Sequence, residues 1–274
     1  MCDITDIRIW SIGIAIVMVL VFVPENPKEG YCVLLETNDF PPGYTDLPVD
    51  FVDIKRMQTM LLNHGWQKSH MFIRKDNITP ETVKKGVKFL TKADDNDIVL
   101  FYICSHGEYI RHNLQWKNTF EPVFDSITAD CRIVIIDSCN AAFFLPESDG
   151  SYIGIGSVSL KETAWVGIPQ EDLPITGFVF TYYFCESMKV EHTVSVEEGV
   201  KKTAPLVKEY MSTVVYPAFK DIYPPETHYN LYNQHPVIKD HYPGEAYLTI
   251  ERKSSFSLVL VVMGMLVVLK KHTQ

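Results

Sequence analysis

Two continuous apolar runs decide the fold: Ile98–Cys104, which reads IVLFYIC, and Arg132–Asp137, which reads RIVIID. Runs without alternating polar residues are typical of central strands in a parallel sheet that helices cover on both faces. Small and polar residues follow each run at once, as Ser105–Gly107 (SHG) and Ser138–Asn140 (SCN). Ligands of open α/β sheets bind beyond the carboxyl ends of the strands, so we expect both tripeptides at one site.

Around these two runs, short apolar segments alternate with helical patterns from Gly30 to Glu251. This alternation predicts one α/β domain, residues 30–251, built on a central, mostly parallel sheet of six strands with helices on both faces. The other predicted strands are Tyr31–Glu36, Ser69–Arg74, Ile153–Val158 and Glu245–Glu251. The predicted helices are Val49–His64, Thr79–Ala93, Gly177–Met188 and one that begins at Ser195.

The composition argues against several classes of function. Of the 274 residues, 25 are Lys or Arg and 34 are Asp or Glu, and the middle of the chain has no basic block, so nucleic acid is not an expected partner. The six cysteines form no C-x-x-C pair and no zinc-site spacing occurs, so we expect no metal site and no cofactor. Asp94, Asp95 and Asp97 offer carboxylates to calcium, but an acidic solvated turn explains them more simply.

Two apolar segments, Ile9–Val23 and Phe256–Leu269, predict attachment to a membrane because neither contains a charged residue. As helices rising ~1.5 Å per residue they would span ~21 to 23 Å, short of a ~30 Å hydrocarbon core unless flanking residues snorkel or the bilayer thins. We expect residues 1–29 to hold an anchor or a signal segment and residues 252–274 to hold a transmembrane anchor. The side of the membrane that the domain faces stays open.

Cys139 and His106 carry groups suited to attack on a carbonyl. A free thiol of pKa ~8.5 is mostly protonated near pH 7, so a base must assist it, and a histidine can also protonate the leaving amine. Gly107 has no Cβ, which lets a backbone N–H approach a developing oxyanion, and the N–H of Cys139 is a second candidate donor. Taken singly, such a cysteine is more often a small buried residue and such a histidine a turn residue, but their joint placement favours catalysis.

The runs IVLFYICSHG (Ile98–Gly107) and RIVIIDSCNAA (Arg132–Ala142) resemble the His-Gly and Asp-x-Cys motifs of the caspase, metacaspase and legumain superfamily of cysteine peptidases. Further segments fit the same family: Tyr31–Asp53, Gly177–Tyr183, Gln234–Pro236 and Tyr242–Leu248. The resemblance implies a three-layer caspase-like sandwich. It also implies that His106 and Cys139 form the catalytic dyad, that Gly107 and Cys139 supply the oxyanion donors, and that no third residue is catalytic.

The substrate preference that the resemblance implies depends on two carboxylates. Metacaspases receive Arg or Lys in an acidic pocket, whose matching positions here are Asp53 and Asp137, with Cys104 where metacaspases often carry Ser. Charge pairing would favour a basic residue on the amino side of the scissile bond, here called the cleavage-site residue. Alternatively, Asp137 ends its strand by binding nearby N–H groups and Asp53 lies on a solvated helix face. The caspase pattern Q-A-C-[RQG]-G is absent, which disfavours cleavage after Asp, and a legumain-like preference for Asn stays open.

The sequence therefore predicts a membrane-tethered cysteine endopeptidase that acts on a protein or peptide through an acyl-enzyme. Two other interpretations stay open. One is a transamidase of the glycosylphosphatidylinositol type, in which an amine replaces water. The other is an inactive caspase-like module used for assembly at a membrane. Lys161, in the loop after the fifth predicted strand, is a candidate processing site if a basic cleavage-site residue is right.

Overall fold

A computed structural model describes residues 12–24, 27–147, 150–168, 175–189, 193–250 and 256–269, which fall in two compact units, one within Lys28–Glu251 and the other at the two ends of the chain. The strands are β1 (Ile12–Pro24), β2 (Gly30–Glu36), β3 (Met71–Lys75), β4 (Ile98–Cys104), β5 (Cys131–Asp137), β6 (Ile153–Gly156), β7 (Val237–Asp240) and β8 (Phe256–Leu269). The helices are α1 (Val52–Asn63), α2 (Pro80–Leu90), α3 (Gly107–His112), α4 (Trp116–Thr119), α5 (Glu121–Phe124), α6 (Val179–Lys189), α7 (Val196–Tyr210), α8 (Tyr216–Phe219) and α9 (Tyr229–Tyr232).

The larger unit is built on a six-stranded sheet of order β3-β2-β4-β5-β6-β7, in which only β7 runs antiparallel to its neighbour. The prediction of a mostly parallel sheet is confirmed. All seven residues of β4 and of β5 are buried, as their unbroken apolar sequences require. Cys104 pairs with Glu36 on one side and with Asp137 on the other. The carboxyl ends of β2, β4 and β5 are therefore level.

Helices cover both faces of the sheet, and β2 shows how. A Cβ placed on Gly86 of α2 would lie 2.9 Å from Val33 Cγ1. Glu36 lies three residues further along the strand and so on the other face, where its Oε2 accepts the N–H of Ile54 in α1 over 2.9 Å. The layered α/β arrangement that the sequence predicts is present.

The predicted strand Glu245–Glu251 is wrong as far as the structure describes it. Residues 245–250 are irregular, and the antiparallel edge strand is Val237–Asp240, paired with β6. The backbone of the irregular stretch bonds elsewhere: the indole of Trp66 donates to Leu248 O over 2.7 Å, and the N–H of Ile250 donates to His64 O over 2.8 Å. The segment 245–250, whose apolar residues led to the strand prediction, thus packs against the end of α1 and does not join the sheet.

The terminal segments differ from the prediction. Within Ile12–Pro24 and Phe256–Leu269 the chain is extended, and the two strands pair antiparallel from Ile12↔Leu269 to Pro24↔Phe256. The prediction of helices there is wrong: both segments are rich in β-branched Val and Ile, which favour extended backbone, and each pairs with the other along one edge. Among the described residues, no helix combines the length and the apolar composition needed to cross a membrane.

Candidate active site

His106 follows β4 and occupies the N-cap position of α3, without a capping hydrogen bond from its side chain. Its ring lies 4.7 Å from that of Phe40 and 6.3 Å from that of Tyr44, between centroids. Its Nε2 lies 2.7 Å from the carbonyl oxygen of Thr45. A carbonyl oxygen only accepts hydrogen bonds, so Nε2 carries the proton and, in the neutral ring, Nδ1 is the basic nitrogen. Sequence reasoning missed this contact because any residue type can supply a carbonyl.

Cys139 follows β5, and its loop touches the loop after β4. A Cβ on Gly107 would lie only 2.2 Å from the carbonyl oxygen of Cys139, so only glycine allows this approach. The N–H of Ser105 donates to Asp137 O over 3.2 Å, which ties the two strand ends together. His106 and Cys139 line the same cleft. The structure thus brings His106, Gly107 and Cys139 together at the carboxyl edge of the sheet.

The Cys139 thiol is not pre-ionised. Burial raises its pKa above the usual range, and the charges of Asp137 and Glu108 act in the same direction, although a backbone hydrogen bond from Ala164 opposes them. The thiol is therefore protonated near neutral pH. Attack on a carbonyl requires a base that removes the proton during the reaction.

The cleft has a volume of about 750 Å³. Two chain segments, residues 163–168 and residues 219–231, supply most of its wall. No Asp or Glu is among the described residues that line it. The lining residues are Leu47, Pro48, Ser105, His106, Cys139, Thr163, Ala164, Trp165, Val166, Gly167, Ile168, Phe178, Phe219, Tyr223, Thr227, Asn230 and Leu231. The wall is therefore mostly apolar and aromatic.

Asp53, Asp137 and Cys104, the predicted pocket residues, are fully buried and do not line this cleft. Asp53 Oδ2 accepts the N–H of Phe178 over 2.8 Å, and Phe178 does line the cleft, so Asp53 lies directly behind its wall. Asp137 Oδ2 accepts the hydroxyl of Thr181 over 2.7 Å. The alternative that Asp53 lies on a solvated helix face is therefore wrong. Asp137 binds Thr181, which is distant in sequence, rather than N–H groups next to the end of its own strand.

Glu36 joins these carboxylates, and sequence reasoning missed it because it ends a strand as an ordinary polar residue. Burial raises the pKa of Glu36 to about 7 and that of Asp137 to about 6, and it raises the pKa of Asp53 well above its usual range, with the charge of Glu36 adding to the effect. Atoms of Glu36, Asp53 and Cys104 lie within 4.8 Å of one another, a spacing open to a metal ion. Asp53 Oδ1 already binds Arg56 over 3.0 Å and Glu36 Oε2 binds the backbone, so we assign no metal there.

The Asp94–Asp97 segment, the candidate calcium site, is organised as a turn. Asp97 Oδ1 accepts the N–H of Glu29 over 2.7 Å, and Asp97 Oδ2 accepts the N–H of Asp94 over 3.0 Å. Both oxygens of this buried carboxylate are thus used by the backbone. The arrangement is that of a turn held by its own side chain, and we assign no calcium to it.

Glu162 links the two segments that wall the cleft, another feature that the sequence did not reveal. Its carboxylate accepts from His235 Nδ1 over 2.6 Å, from the Tyr229 hydroxyl over 3.1 Å and from the N–H of Ser159 over 3.1 Å. Burial alone would raise the pKa of Glu162, but the hydrogen bonds from His235 and Ser159 hold it below the usual range. Lys161, the candidate processing site, is exposed and donates its N–H to Asn140 Oδ1 over 2.9 Å, beside Cys139.

A sequence model of the caspase domain matches residues 29–240. The chain belongs to the caspase-domain family. The crystal structure of caspase-1 from Spodoptera frugiperda is similar to this caspase-domain chain, with a TM-score of 0.56 and 12% identity over 84% of this chain and 93% of that one. At that identity the likeness shows the fold. No curated protein sequence matches the chain. This caspase-domain protein is therefore a member of a superfamily of cysteine peptidases, which are hydrolases of protein substrates.

Proposed function

We propose that this protein is a cysteine endopeptidase in which Cys139 is the nucleophile and His106 is the general base and acid. The observation that carries the proposal is that both residues line one cleft while Gly107 packs against the backbone of Cys139. The caspase-domain match over residues 29–240 supports the reaction class.

The reaction begins with a protonated thiol. His106 Nδ1 takes the proton as Cys139 Sγ bonds to the substrate carbonyl carbon, since Nε2 is held by the carbonyl of Thr45. The N–H groups of Gly107 and Cys139 receive the negative charge that develops on the oxygen. The C–N bond then breaks and His106 returns the proton to the leaving amine. Water attacks the thioester, gives a proton to His106 and releases the acid, and the thiol is restored.

The proposed cleavage-site residue is basic, with Asp53 and Asp137 as the carboxylates that would pair with it. The support is their charge and their position behind the cleft wall that Phe178 forms. Entry requires the segment Thr176–Phe178 to give way, because Asp53 and Asp137 are fully buried.

The test is hydrolysis of fluorogenic peptides that present Arg, Lys, norleucine, Asn or Asp at the cleavage site, by the full chain and by Cys139→Ala. We expect turnover that disappears in Cys139→Ala and is fastest after Arg or Lys. A Cys139-bound acyl group that is released by an added amine but not by water would instead favour the transamidase. Equal turnover by both chains would refute the dyad.

We further propose that the apolar terminal segments associate with a membrane, on the basis of their uncharged sequences. The test is flotation of the full chain with phosphatidylcholine vesicles, beside a chain limited to residues 28–251. Flotation of the full chain alone is the expected result, and equal behaviour of the two chains would contradict it.

A further inference from the structure

The region behind the cleft wall already contains a guanidinium. Arg56, on α1, donates from Nη1 to Asp53 Oδ1 over 3.0 Å and to the carbonyl oxygen of Thr176 over 3.1 Å. The centre of its guanidinium lies 4.9 Å from the centre of the Tyr182 ring. Asp53 is thus bound by the same chemical group that an arginine of a substrate would bring.

The carboxylates of this region outnumber the cations bound to them. Glu36, Asp53 and Asp137 are all fully buried. Within the part of the chain that the structure describes, Arg56 is the only cationic side chain hydrogen-bonded to any of the three. Asp137 Oδ1 is buried and no described residue binds it with normal hydrogen-bond geometry, although the Ser157 hydroxyl is close enough to oppose the rise of the Asp137 pKa. Buried carboxylates are poorly hydrated, so an excess of them favours binding of a cation. This region can therefore hold one guanidinium tightly.

Arg56 and the cleft meet on the same short segment. Thr176 accepts from Arg56, and Phe178 lines the cleft while its N–H donates to Asp53. Between them, Gly177 has a φ of +84°, and a Cβ there would lie 2.3 Å from Asp53 Oδ1. A single backbone segment therefore separates the Asp53 carboxylate from the cleft, and Arg56 is bonded to that segment.

We propose that Arg56 is a specificity-determining residue that occupies the acidic pocket in place of the substrate side chain, so that a basic cleavage-site residue binds only by displacing Arg56 from Asp53. The inference rests on the proposed function, whose cleavage preference it qualifies. The wild-type chain then binds basic peptides more weakly than the same pocket would without Arg56, because its own cation competes with them. Removal of that cation increases the affinity for basic peptides selectively.

The test measures binding without turnover, in chains that carry Cys139→Ala. Peptide amides that end in arginine or in norleucine are titrated calorimetrically into this chain and into its Arg56→Gln, Arg56→Lys and Lys55→Gln derivatives. We expect Arg56→Gln to bind the arginine peptide about tenfold more tightly, the scale of one charge-assisted hydrogen bond, with no change for the norleucine peptide. Arg56→Lys keeps the cation, and Lys55→Gln removes the adjacent, exposed cation. Both should bind as the parent does.

Equal or weaker arginine binding in a folded Arg56→Gln chain would overturn the proposal and make Arg56 a structural partner of Asp53. If Arg56→Gln does not fold, the Nε–H resonance of Arg56 in the parent chain gives the same test. It must shift when the arginine peptide is added and not when the norleucine peptide is added. Failure of the peptidase proposal is separable, because tighter arginine binding without hydrolysis by the Cys139 chain would contradict catalysis and leave the role of Arg56 intact.

Discussion

The cleft beside Cys139 and the acidic pocket behind its wall are close in space and opposite in chemistry. The cleft is open, mostly apolar and lined by His106 and Cys139, with no Asp or Glu among its described lining residues. The pocket is closed to solvent and contains Glu36, Asp53 and Asp137 with one guanidinium, that of Arg56. The difference teaches that the cleft holds the groups proposed to react, whereas the pocket holds buried carboxylates that bind a cation. Changes in the first should alter rates, and changes in the second should alter the affinity for basic peptides as well as stability and its pH dependence.

The largest expected effect is that of His106→Ala. Without the base, the protonated Cys139 thiol attacks slowly, and we expect kcat/KM to fall about 1,000-fold with an unchanged thermal midpoint. His112→Ala, which removes an exposed histidine of the same short helix, is the matched control and should retain activity. If His106→Ala kept activity within tenfold of wild type, His106 would not be the base, and the cleft would no longer differ from the pocket as the site of reaction.

Gly107→Ala should reduce kcat about 100-fold. The added Cβ would lie 2.2 Å from the Cys139 carbonyl oxygen, so the two loops must separate and the proposed oxyanion donors move. Steady-state kinetics and near-ultraviolet circular dichroism check this together. Unchanged kcat in a chain with a native spectrum would show that this contact does not position the reacting groups.

In the acidic pocket we expect stability to fall as pH rises. Burial raises the Glu36 pKa to about 7, whereas an unfolded glutamate has a pKa of about 4.3, so the folded chain binds the proton more tightly. This stability is present in full below the unfolded pKa and is lost as pH rises through about 7, a loss of about 3 to 4 kcal/mol. Asp137, with a pKa raised to about 6, acts in the same direction.

Urea unfolding at pH 5, 6, 7 and 8 measures this loss. Glu36→Gln cannot ionise, so its free energy of unfolding should vary less with pH than that of the wild-type chain. Glu81→Gln, at an exposed glutamate of α2, is the control and should follow the wild-type curve. A wild-type stability that rises from pH 5 to pH 8 would contradict the raised pKa values of Glu36 and Asp137.

The smallest expected effect is that of Glu162→Gln, which tests how the cleft walls are held. The substitution removes the charge that strengthens the hydrogen bonds from His235 and Ser159. We expect KM to rise about fivefold with little change in kcat, because the walls loosen while His106 and Cys139 keep their positions. Glu226→Gln, at an exposed glutamate near the cleft, should leave KM unchanged. A larger loss in kcat than in KM would place Glu162 in the reaction itself.

The sequence determined the two central strands, because continuous apolar runs leave no polar face for solvent. It also determined that Ser105–Gly107 and Ser138–Asn140 follow the carboxyl ends of those strands, which makes His106, Gly107 and Cys139 neighbours because the two strands pair with each other. Tertiary structure decided the rest. The edge strand Val237–Asp240 depends on the partner that β6 offers, and the extended terminal segments depend on pairing with each other. The contact of His106 with the Thr45 carbonyl and those of Arg56 and Asp53 with the segment around Gly177 join groups far apart in sequence, which no local pattern encodes.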